Sequence, residues 1–432
     1  MTENANVSPS RIAAARVLME TLEKGLPLSN LPGHPAFSSL GYQDRAFASE
    51  IVYGVLRNLL RCDYLIRGHS NTRFDRIDRE VLWILRISLY QLEFMSSPDY
   101  AVVSDAVAMA SCFRKSSAAG FINGLLRTFL RERVPLPAGN SVAGLAVRYS
   151  HPEWLVARYL ARFGAKRARK MMAVNNKPPE SYLRINPGRI GEDEFTDLLD
   201  REGIRWQDFP ELPGCLKIFS RGFNRHHLYR EGNCFYMDFG SQLIAFHVEA
   251  EPGMRVGDLC AAPGGKSFIL ADRTGPKGIV AASDISCSRL RQMQQRMIHY
   301  GIANCHLACA DLEASLPPFS GLDSVLLDVP CSGLGTLSSN PEIRWLLREE
   351  DLLEHQARQA AILGNCFKSL RKGQKIYYST CSSEPEENEE VVEALLRDEP
   401  SAELIGEPFN TIEDQLEGEG FFLAAIRKSQ AG

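Results

Sequence analysis

From about residue 235 the chain alternates short apolar runs with helical stretches, and an aspartate stands at the end of run after run. The runs 254–259, 278–283, 305–310 and 324–327 carry Asp258, Asp284, Asp311 and Asp328 at or just past their carboxyl ends. Helical spacing occupies 266–274 and 288–300 between them. A long helix at 351–370, a strand at 375–380 and a helix at 386–397 continue the alternation, and 421–426 suits a closing strand. Ser383-Glu-Pro-Glu386 has the hydroxyl-then-Glu spacing of a helix start. Such a pattern predicts a mostly parallel sheet with helices on both faces. In open α/β sheets, ligands bind outside the carboxyl ends of the strands. One Asp after a strand is commonly a cap or turn residue. Four at successive strand ends predict a crevice that binds something.

The amino-terminal part obeys a different period. Ile51, Val52, Val55, Leu56 and Leu59, then Val81, Leu82, Leu85, Leu89 and Leu92, recur at helical spacing. Breaks fall at 27–39 and 96–98, so five to seven helices fit between residues 10 and 133. Pro135, Pro137 and Gly139 mark a linker over 134–144. Two helical segments follow, then strand-like 182–186, helical 192–202, and short strands at 204–209 and 215–219. The expected organisation is therefore an all-α domain over 1–140, a small α+β module with its helical lead-in over 141–235, and an α/β domain over 236–432. At about 100–200 residues per domain, 432 residues suit that number.

Charge divides the same way. Residues 1–140 hold 16 basic and 13 acidic side chains, 141–235 hold 16 and 11, and 236–432 hold 17 and 29. The first half is basic and the second acidic. Arg158, Arg162, Lys166 and Lys170 recur every four residues, the spacing of one helical face. That stripe is either a solvated helix face or a site for RNA phosphates. His226-His227 reads as a loop pair or an RNA contact.

The first strand end continues as Asp258-Leu-Cys-Ala-Ala-Pro-Gly-Gly-Lys266. Cys260, Ala261, Ala262, Pro263, Gly264, Gly265 and Lys266 form its loop, and the paired glycines let backbone approach a ligand closely. Cys260 stands where a Walker A loop needs glycine, and the GxGxxG dinucleotide fingerprint is absent. A nucleoside with a charged tail fits better: Asp284 placed for ribose hydroxyls, Asp311 for an adenine amino group. S-adenosyl-L-methionine has that form. Arg289 either supports this pocket or makes a structural ion pair.

Asp258-Leu-Cys-Ala-Ala-Pro-Gly-Gly-Lys266, Asp328-Val-Pro-Cys-Ser-Gly333 and Ser379-Thr-Cys-Ser382, in this order, resemble the RNA cytosine carbon-5 methyltransferases of the NOL/NOP/Sun family. Gly420-Phe-Phe422 is similar to that family's last motif. Asp44-Arg45, Leu85-Arg86, Tyr100-Ala-Val-Val103, Phe121-Ile-Asn-Gly-Leu-Leu-Arg127 and His151-Pro-Glu-Trp154 extend the resemblance to the RsmB (Sun/Fmu) branch. It implies a NusB-like RNA-binding domain, a small α+β module and a Rossmann-like class I methyltransferase domain. Two departures stand out. Met237-Asp-Phe-Gly-Ser241 replaces the branch's usual Gln-Asp-Glu-x-Ser, and Ser338 and Ser339 stand where two basic residues are usual.

Carbon 5 of cytosine is a weak nucleophile until a thiolate adds at carbon 6, so the chemistry calls for covalent catalysis by cysteine. Cys331 and Cys381 each follow an expected strand, and residue types alone do not divide their roles. The resemblance implies that Cys381 is the nucleophile and Cys331 assists product release. It also implies that Asp328 holds the cytosine edge and Lys266 orients Asp328. Cys260 reads as packed. The other eight cysteines are assigned to packing or surface, as free thiols in a reducing cytoplasm. Cys305 and Cys309 flank His306 without a second half, so no metal is expected. No apolar run reaches 18 residues and no membrane partner is expected. The implied partner is small-subunit ribosomal RNA, bound by a monomer. Transfer RNA as substrate, or a non-catalytic RNA-binding assembly factor, are the alternatives. An amino-group methyltransferase is disfavoured because Asp328-Val-Pro-Cys331 replaces its Asn/Asp-Pro-Pro-aromatic tetrapeptide.

Overall fold

The computed structural model describes residues 7–28, 31–220, 222–411 and 418–429. It divides into two compact units, Met1–Pro178 with Leu337–Glu349, and Pro179–Thr336 with Glu350–Gly432. The helical lead-in 141–178 thus belongs with the first unit, and so does a short stretch from deep within the α/β region.

In the first unit, helices span Pro9–Lys24, Tyr42–Arg57, Leu59–His69, Arg79–Phe94, Asp99–Cys112 and Ala119–Arg131. Helix Arg79–Phe94 is apolar nearly all round, with Val81, Leu82, Trp83, Ile84, Leu85, Ile87 and Leu89 all buried. That marks the central helix of the core, and Ile51, Val52, Val55 and Leu56 pack into the same cluster. Two more helices follow, Val142–Tyr149 and Glu153–Asn175.

The stretch Leu337–Glu349 is held in this unit by buried polar contacts. Arg344 is wholly buried and donates to the carbonyls of Ser150 at 3.1 Å, Asn175 at 3.1 Å and Leu337 at 3.3 Å, and to Asn176 Oδ1 at 2.7 Å. Burial pushes its pKa down to about 9. Trp345 Nε1 donates to the Leu56 carbonyl at 2.8 Å, and Arg57 Nη2 to the Ser338 carbonyl at 2.7 Å. Glu342 Oε1 accepts from Leu28 N at 3.2 Å.

The basic stripe does not keep one face. Gly164 takes φ 70° and ψ 166° within Glu153–Asn175, a left-handed excursion that glycine tolerates. Arg158 and Arg162 precede this break; Lys166 and Lys170 follow it. A four-residue spacing cannot carry one face across a non-helical residue, which corrects the sequence expectation. Arg158 pairs with Glu349 at 3.3 Å, and the guanidiniums of Arg162 and Arg167 lie 4.9 and 5.4 Å from the Phe163 ring centre.

The second unit contains two sheets. The smaller has strands β1 (Tyr182–Ile185), β2 (Trp206–Asp208), β3 (Cys215–Ile218) and β4 (Cys234–Tyr236), in the order β2-β3-β1-β4 and all antiparallel. Helix Glu192–Arg201 buries Phe195 and Leu199 in its core. The larger has β5 (Arg255–Asp258), β6 (Ile279–Asp284), β7 (Cys305–Cys309), β8 (Ser324–Asp328), β9 (Lys375–Thr380), β10 (Ala402–Leu404), β11 (Phe409–Asn410) and β12 (Phe422–Lys428). Its order is β10-β12-β9-β8-β5-β6-β7, with β11 pairing β12. β9, β8, β5, β6 and β7 are parallel; β12 runs antiparallel to β9. From β5 the chain winds outward through β6 and β7, then crosses back to β8, so the order reverses between β5 and β8. Asp258 and Asp328 stand at the tips of these two strands, the switch point where such sheets bind ligands.

Ser383 does not cap a helix. A 3₁₀ turn, Pro385–Glu387, comes first, and the α-helix begins at Glu389, with Asn388 at its cap position. Ser383 Oγ donates instead to Glu384 Oε1 at 2.8 Å.

Candidate active site

Beyond Asp258 the loop turns back on itself. Ala261 N donates to the Ser283 carbonyl and Gly264 N to the Ala261 carbonyl, both at 2.8 Å. Gly264 has φ 99°, and a Cβ there would lie 2.8 Å from Met293 Cγ. The peptide between Ala262 and Pro263 is cis. Helix Gly265–Thr274 follows and points Ser267 and Lys266 back at the strand tips. Ser267 Oγ donates to Asp258 Oδ2 at 2.5 Å; Lys266 Nζ donates to Asp328 Oδ2 at 2.8 Å. Asp258 Oδ1 is buried with no hydrogen-bond partner. Burial pushes the Asp258 carboxyl up to about 7. A cavity of about 270 Å³ opens here, lined by Cys260–Pro263, Gly265, Lys266, Asp258 and Asp328, with Met237, Asp238, Arg296 and Phe421 on its other walls.

Asp284 meets the back of this loop. Its Oδ2 accepts from Ala262 N at 3.2 Å and from Arg289 Nη1 at 3.3 Å, and its Oδ1 from Ser286 N at 2.9 Å. Arg289 Nη2 also reaches the Ala262 carbonyl. Arg289 is therefore an ion-pair partner of Asp284 and a brace for the loop at once. Asp311 lies two residues beyond β7, exposed, with Oδ1 accepting from Glu313 N at 3.0 Å.

The two candidate cysteines converge from adjacent strands. β8 and β9 pair in register with Asp328 opposite Ser379, so the turns that leave them start side by side. Cys331 Sγ and Cys381 Sγ lie 3.1 Å apart, and Cys381 N donates to Cys331 Sγ at 3.3 Å. Both are half-buried. The hydrogen bond to Cys381, together with burial, raises the Cys331 thiol well above the usual range. Gly335 N donates to the Cys381 carbonyl at 2.9 Å, and Gly420 N to the Gly335 carbonyl at 2.8 Å. A Cβ on Gly335 would fall 2.2 Å from the Gly420 carbonyl oxygen. That close backbone approach stitches the Pro-Cys turn, the Thr-Cys turn and the Gly-Phe-Phe segment together.

The family described as 16S rRNA methyltransferase RsmB/F matches residues 245–429, the NusB family matches 8–131, and a ferredoxin-like domain of RsmF/B-like methyltransferases matches 151–222. Over 438 aligned residues the chain is 32% identical to ribosomal RNA small subunit methyltransferase B of Klebsiella pneumoniae, covering 99% of each. The chain belongs to the RsmB/F family. A probable ribosomal RNA small subunit methyltransferase B of Bacillus subtilis is 30% identical, over 88% of this chain and 87% of its own. A solved methyltransferase homologue from Pyrococcus horikoshii, 26% identical, has a TM-score of 0.58 and covers 67% of this chain and all of its own. The NusB-like helical domain, the small α+β module and the Rossmann-like methyltransferase domain expected from sequence are all present.

Within this RsmB/F chain the structure gathers Cys260, Ala261, Ala262, Pro263, Gly265, Lys266 and Asp328 around one cavity, and Cys331 beside Cys381. Asp238 and Arg296 were not singled out as site residues. Asp238 is the N-cap of helix Phe239–His247, accepting from Gly240 N at 2.8 Å, and Oδ1 accepts from Glu419 N at 3.0 Å. Its Asp-x-Gly-Ser pattern was the available signal. Arg296 Nη1 donates to the Pro263 carbonyl at 2.7 Å, a contact with no mark in the sequence. Cys260 is pushed well above the usual thiol range by burial, in keeping with a packing role.

One cysteine expectation is corrected. Cys287 and Cys309 form a disulfide with Cα atoms 5.6 Å apart. β7 runs beside β6, with Cys309 opposite Asp284, so the end of β7 meets the start of helix Cys287–Tyr300, which follows β6, within bridging range. In the middle module, His226 Nε2 and His227 Nε2 both pair with Glu202, at 2.6 and 2.9 Å. This is the cluster of metal-ligand type among the described residues. His226 Nδ1 accepts from Leu228 N at 3.4 Å, which leaves Nε2 to carry the proton toward Glu202. No described helix is long and apolar enough to cross a membrane.

Proposed function

We propose that this chain methylates carbon 5 of a cytosine in 16S ribosomal RNA through a covalent bond between Cys381 and the base. The observation that carries this reading is the 3.1 Å approach of two thiols beside the Lys266–Asp328 pair. Membership of the RsmB/F family supports the ribosomal substrate.

The residues present fit S-adenosyl-L-methionine as cofactor. The cavity wall offers the unpartnered Asp258 Oδ1, and Gly264 and Gly265 leave backbone where side chains would intrude. The 258–266 loop would hold it, with Asp284 and Asp311 toward its nucleoside. When bound, it supplies an electrophilic methyl group.

The protein's own groups divide the remaining work. The cytosine must leave its stack, at a cost of a few kcal/mol unless it is already single-stranded. Asp328, oriented by Lys266, accepts from the base's amino group and stabilises protonation at ring nitrogen 3. The Cys381 thiolate forms a bond to carbon 6, and carbon 5 becomes the nucleophile that takes the methyl group. A second base then takes the carbon-5 proton, the electron pair of that bond re-forms the carbon 5–carbon 6 double bond, the sulfur–carbon 6 bond breaks, and Cys381 departs as thiolate. Cys331 keeps its proton beside Cys381 before attack and assists release of the product afterwards. Arg158, Arg162, Lys166 and Lys170 supply phosphate contacts from both sides of the Gly164 break.

The test uses Cys331→Ala and Cys381→Ala with 16S RNA and cofactor. We expect a trapped protein–RNA adduct for the first and none for the second. The reverse pattern would exchange the roles. Absence of adduct from either, with no methyl transfer by the unaltered chain, would leave an RNA-binding assembly factor. Methylation of separated transfer RNA but not 16S RNA would change the substrate.

A further inference from the structure

Glu387 is wholly buried, and its carboxylate touches both cysteine turns. Ser332 directly follows Cys331, and Ser382 directly follows Cys381. Glu387 Oε1 accepts from Ser332 N at 2.7 Å; its Oε2 accepts from Ser332 Oγ at 2.5 Å and from Ser382 Oγ. Gln359 Nε2 donates to Oε1 at 2.9 Å and also to the Pro330 carbonyl at 3.0 Å. The backbone of the same turn grips β9: Tyr378 OH donates to the Glu387 carbonyl at 2.6 Å. Asn388 continues the link, accepting from Thr380 Oγ1 at 2.5 Å and donating to the Ser382 carbonyl at 3.0 Å.

A buried carboxylate is costly unless donors satisfy it. Here Gln359 supplies one donor, and the others come from Ser332 and Ser382, the residues that directly follow each reactive cysteine. The two serine hydroxyls also lie 3.1 Å from each other, and Glu387 Oε2 accepts from both, so the carboxylate fixes the orientation of a pair that would otherwise share one direct hydrogen bond. The two turns come from different strands, and the cysteines stand 50 positions apart in sequence. The carboxylate is their shared fixed point.

We propose that Glu387 is a positioning residue that holds Cys331 and Cys381 at their working separation. This rests on the reading of those cysteines given above. Misplacement of a reacting group by about 1 Å lowers rate by roughly 10²-fold. Removing Glu387 should therefore act on turnover while leaving the cofactor loop, on the far side of β8, intact.

The experiment compares unaltered protein with Glu387→Gln and Glu387→Ala, in full-length chains. Dibromobimane, which fluoresces when it bridges two nearby thiols, reports the cysteine separation without any catalysis, and peptide mapping identifies the bridged pair. The unaltered chain should bridge Cys331 to Cys381, and both variants should lose most of that bridge. In both, kcat should fall by about 10²-fold, with the KM for cofactor within about two-fold and the melting temperature of the Gln variant close to the unaltered one. Unchanged bridging and unchanged kcat in Glu387→Gln would overturn the proposal. So would an equal loss of cofactor affinity and turnover, which marks general disruption. If Glu387→Ala does not fold, the Gln variant decides. Failure of both Cys331→Ala and Cys381→Ala to trap RNA would sink the covalent reading, while the bridging result would still judge Glu387.

Discussion

Lys266 Nζ donates to Asp328 Oδ2 at 2.8 Å, joining the loop that leaves β5 to the tip of β8. Burial is the largest single influence on Lys266 and works against its charge, but Asp328 beside it, Cys381 and Asp258 together outweigh burial and the pKa is raised. The ammonium also lies 5.0 Å from the Phe421 ring centre. Removing one partner of a buried pair costs about 3–5 kcal/mol, and less where water reaches the survivor, as it does at Asp328. We expect Lys266→Met to lower the melting temperature and to abolish methyl transfer. Lys266→Met with Asp328→Asn should recover most of the melting temperature and none of the transfer. Recovery of transfer by the double variant would show that the pair serves stability alone.

Arg344 anchors the stretch that follows the Pro-Cys turn. Its donors satisfy three carbonyls and the Asn176 side chain in a site closed to water. Leaving such acceptors unpaired costs about 1–3 kcal/mol each. Arg344→Met should destabilise the chain by at least about 2 kcal/mol, measured by denaturant unfolding. Arg344→Lys should recover only part of this, since an ammonium lacks the planar fork that spans several acceptors. Full stability in Arg344→Met would show that the stretch is held by its apolar contacts alone.

The larger sheet was legible because its strands are short apolar runs closed by aspartates. Asp258, Asp284 and Asp328 fall at strand ends within one residue of expectation. Strands β4, β10 and β11 were not legible, being only three, three and two residues long. Period-2 patterning needs more residues than that. The cysteine motifs marked Cys331 and Cys381, but not Glu387, whose importance depends on a fold that returns it between their turns. The same limit explains Arg344, a lone arginine in sequence whose partners, Leu337 apart, lie some 170 to 195 residues away. Gly164 was visible as a letter, but its left-handed conformation was not, so the basic stripe was read as continuous.

Asp258 should make stability depend on pH. An unfolded aspartate titrates near about 3.9, whereas burial raises Asp258 to about 7 in the folded chain. The folded state therefore keeps a proton that the unfolded state has released. That contribution is complete below the unfolded value and is lost as pH rises through about 7. We expect the melting temperature of the ligand-free chain to fall between about pH 4 and about pH 7, and to level off above that. Asp258→Asn, which carries no charge to bury, should flatten that fall. An equal slope in both proteins would assign the titration to another group.

The Cys287–Cys309 bridge offers a count. Nine of the 11 cysteines are free. Chain prepared without reductant and denatured should therefore react with nine equivalents of a thiol reagent, rising to 11 after reduction. The bridge closes a loop of 22 residues, a size for which the chain-entropy relation gives roughly 3–4 kcal/mol. Reductant should lower the melting temperature of the unaltered chain and leave that of Cys287→Ser/Cys309→Ser unchanged. Because Cys309 lies opposite Asp284 in the sheet, the same comparison should be made on cofactor affinity. An equal response to reductant in both proteins would show that some other pair of thiols is responsible.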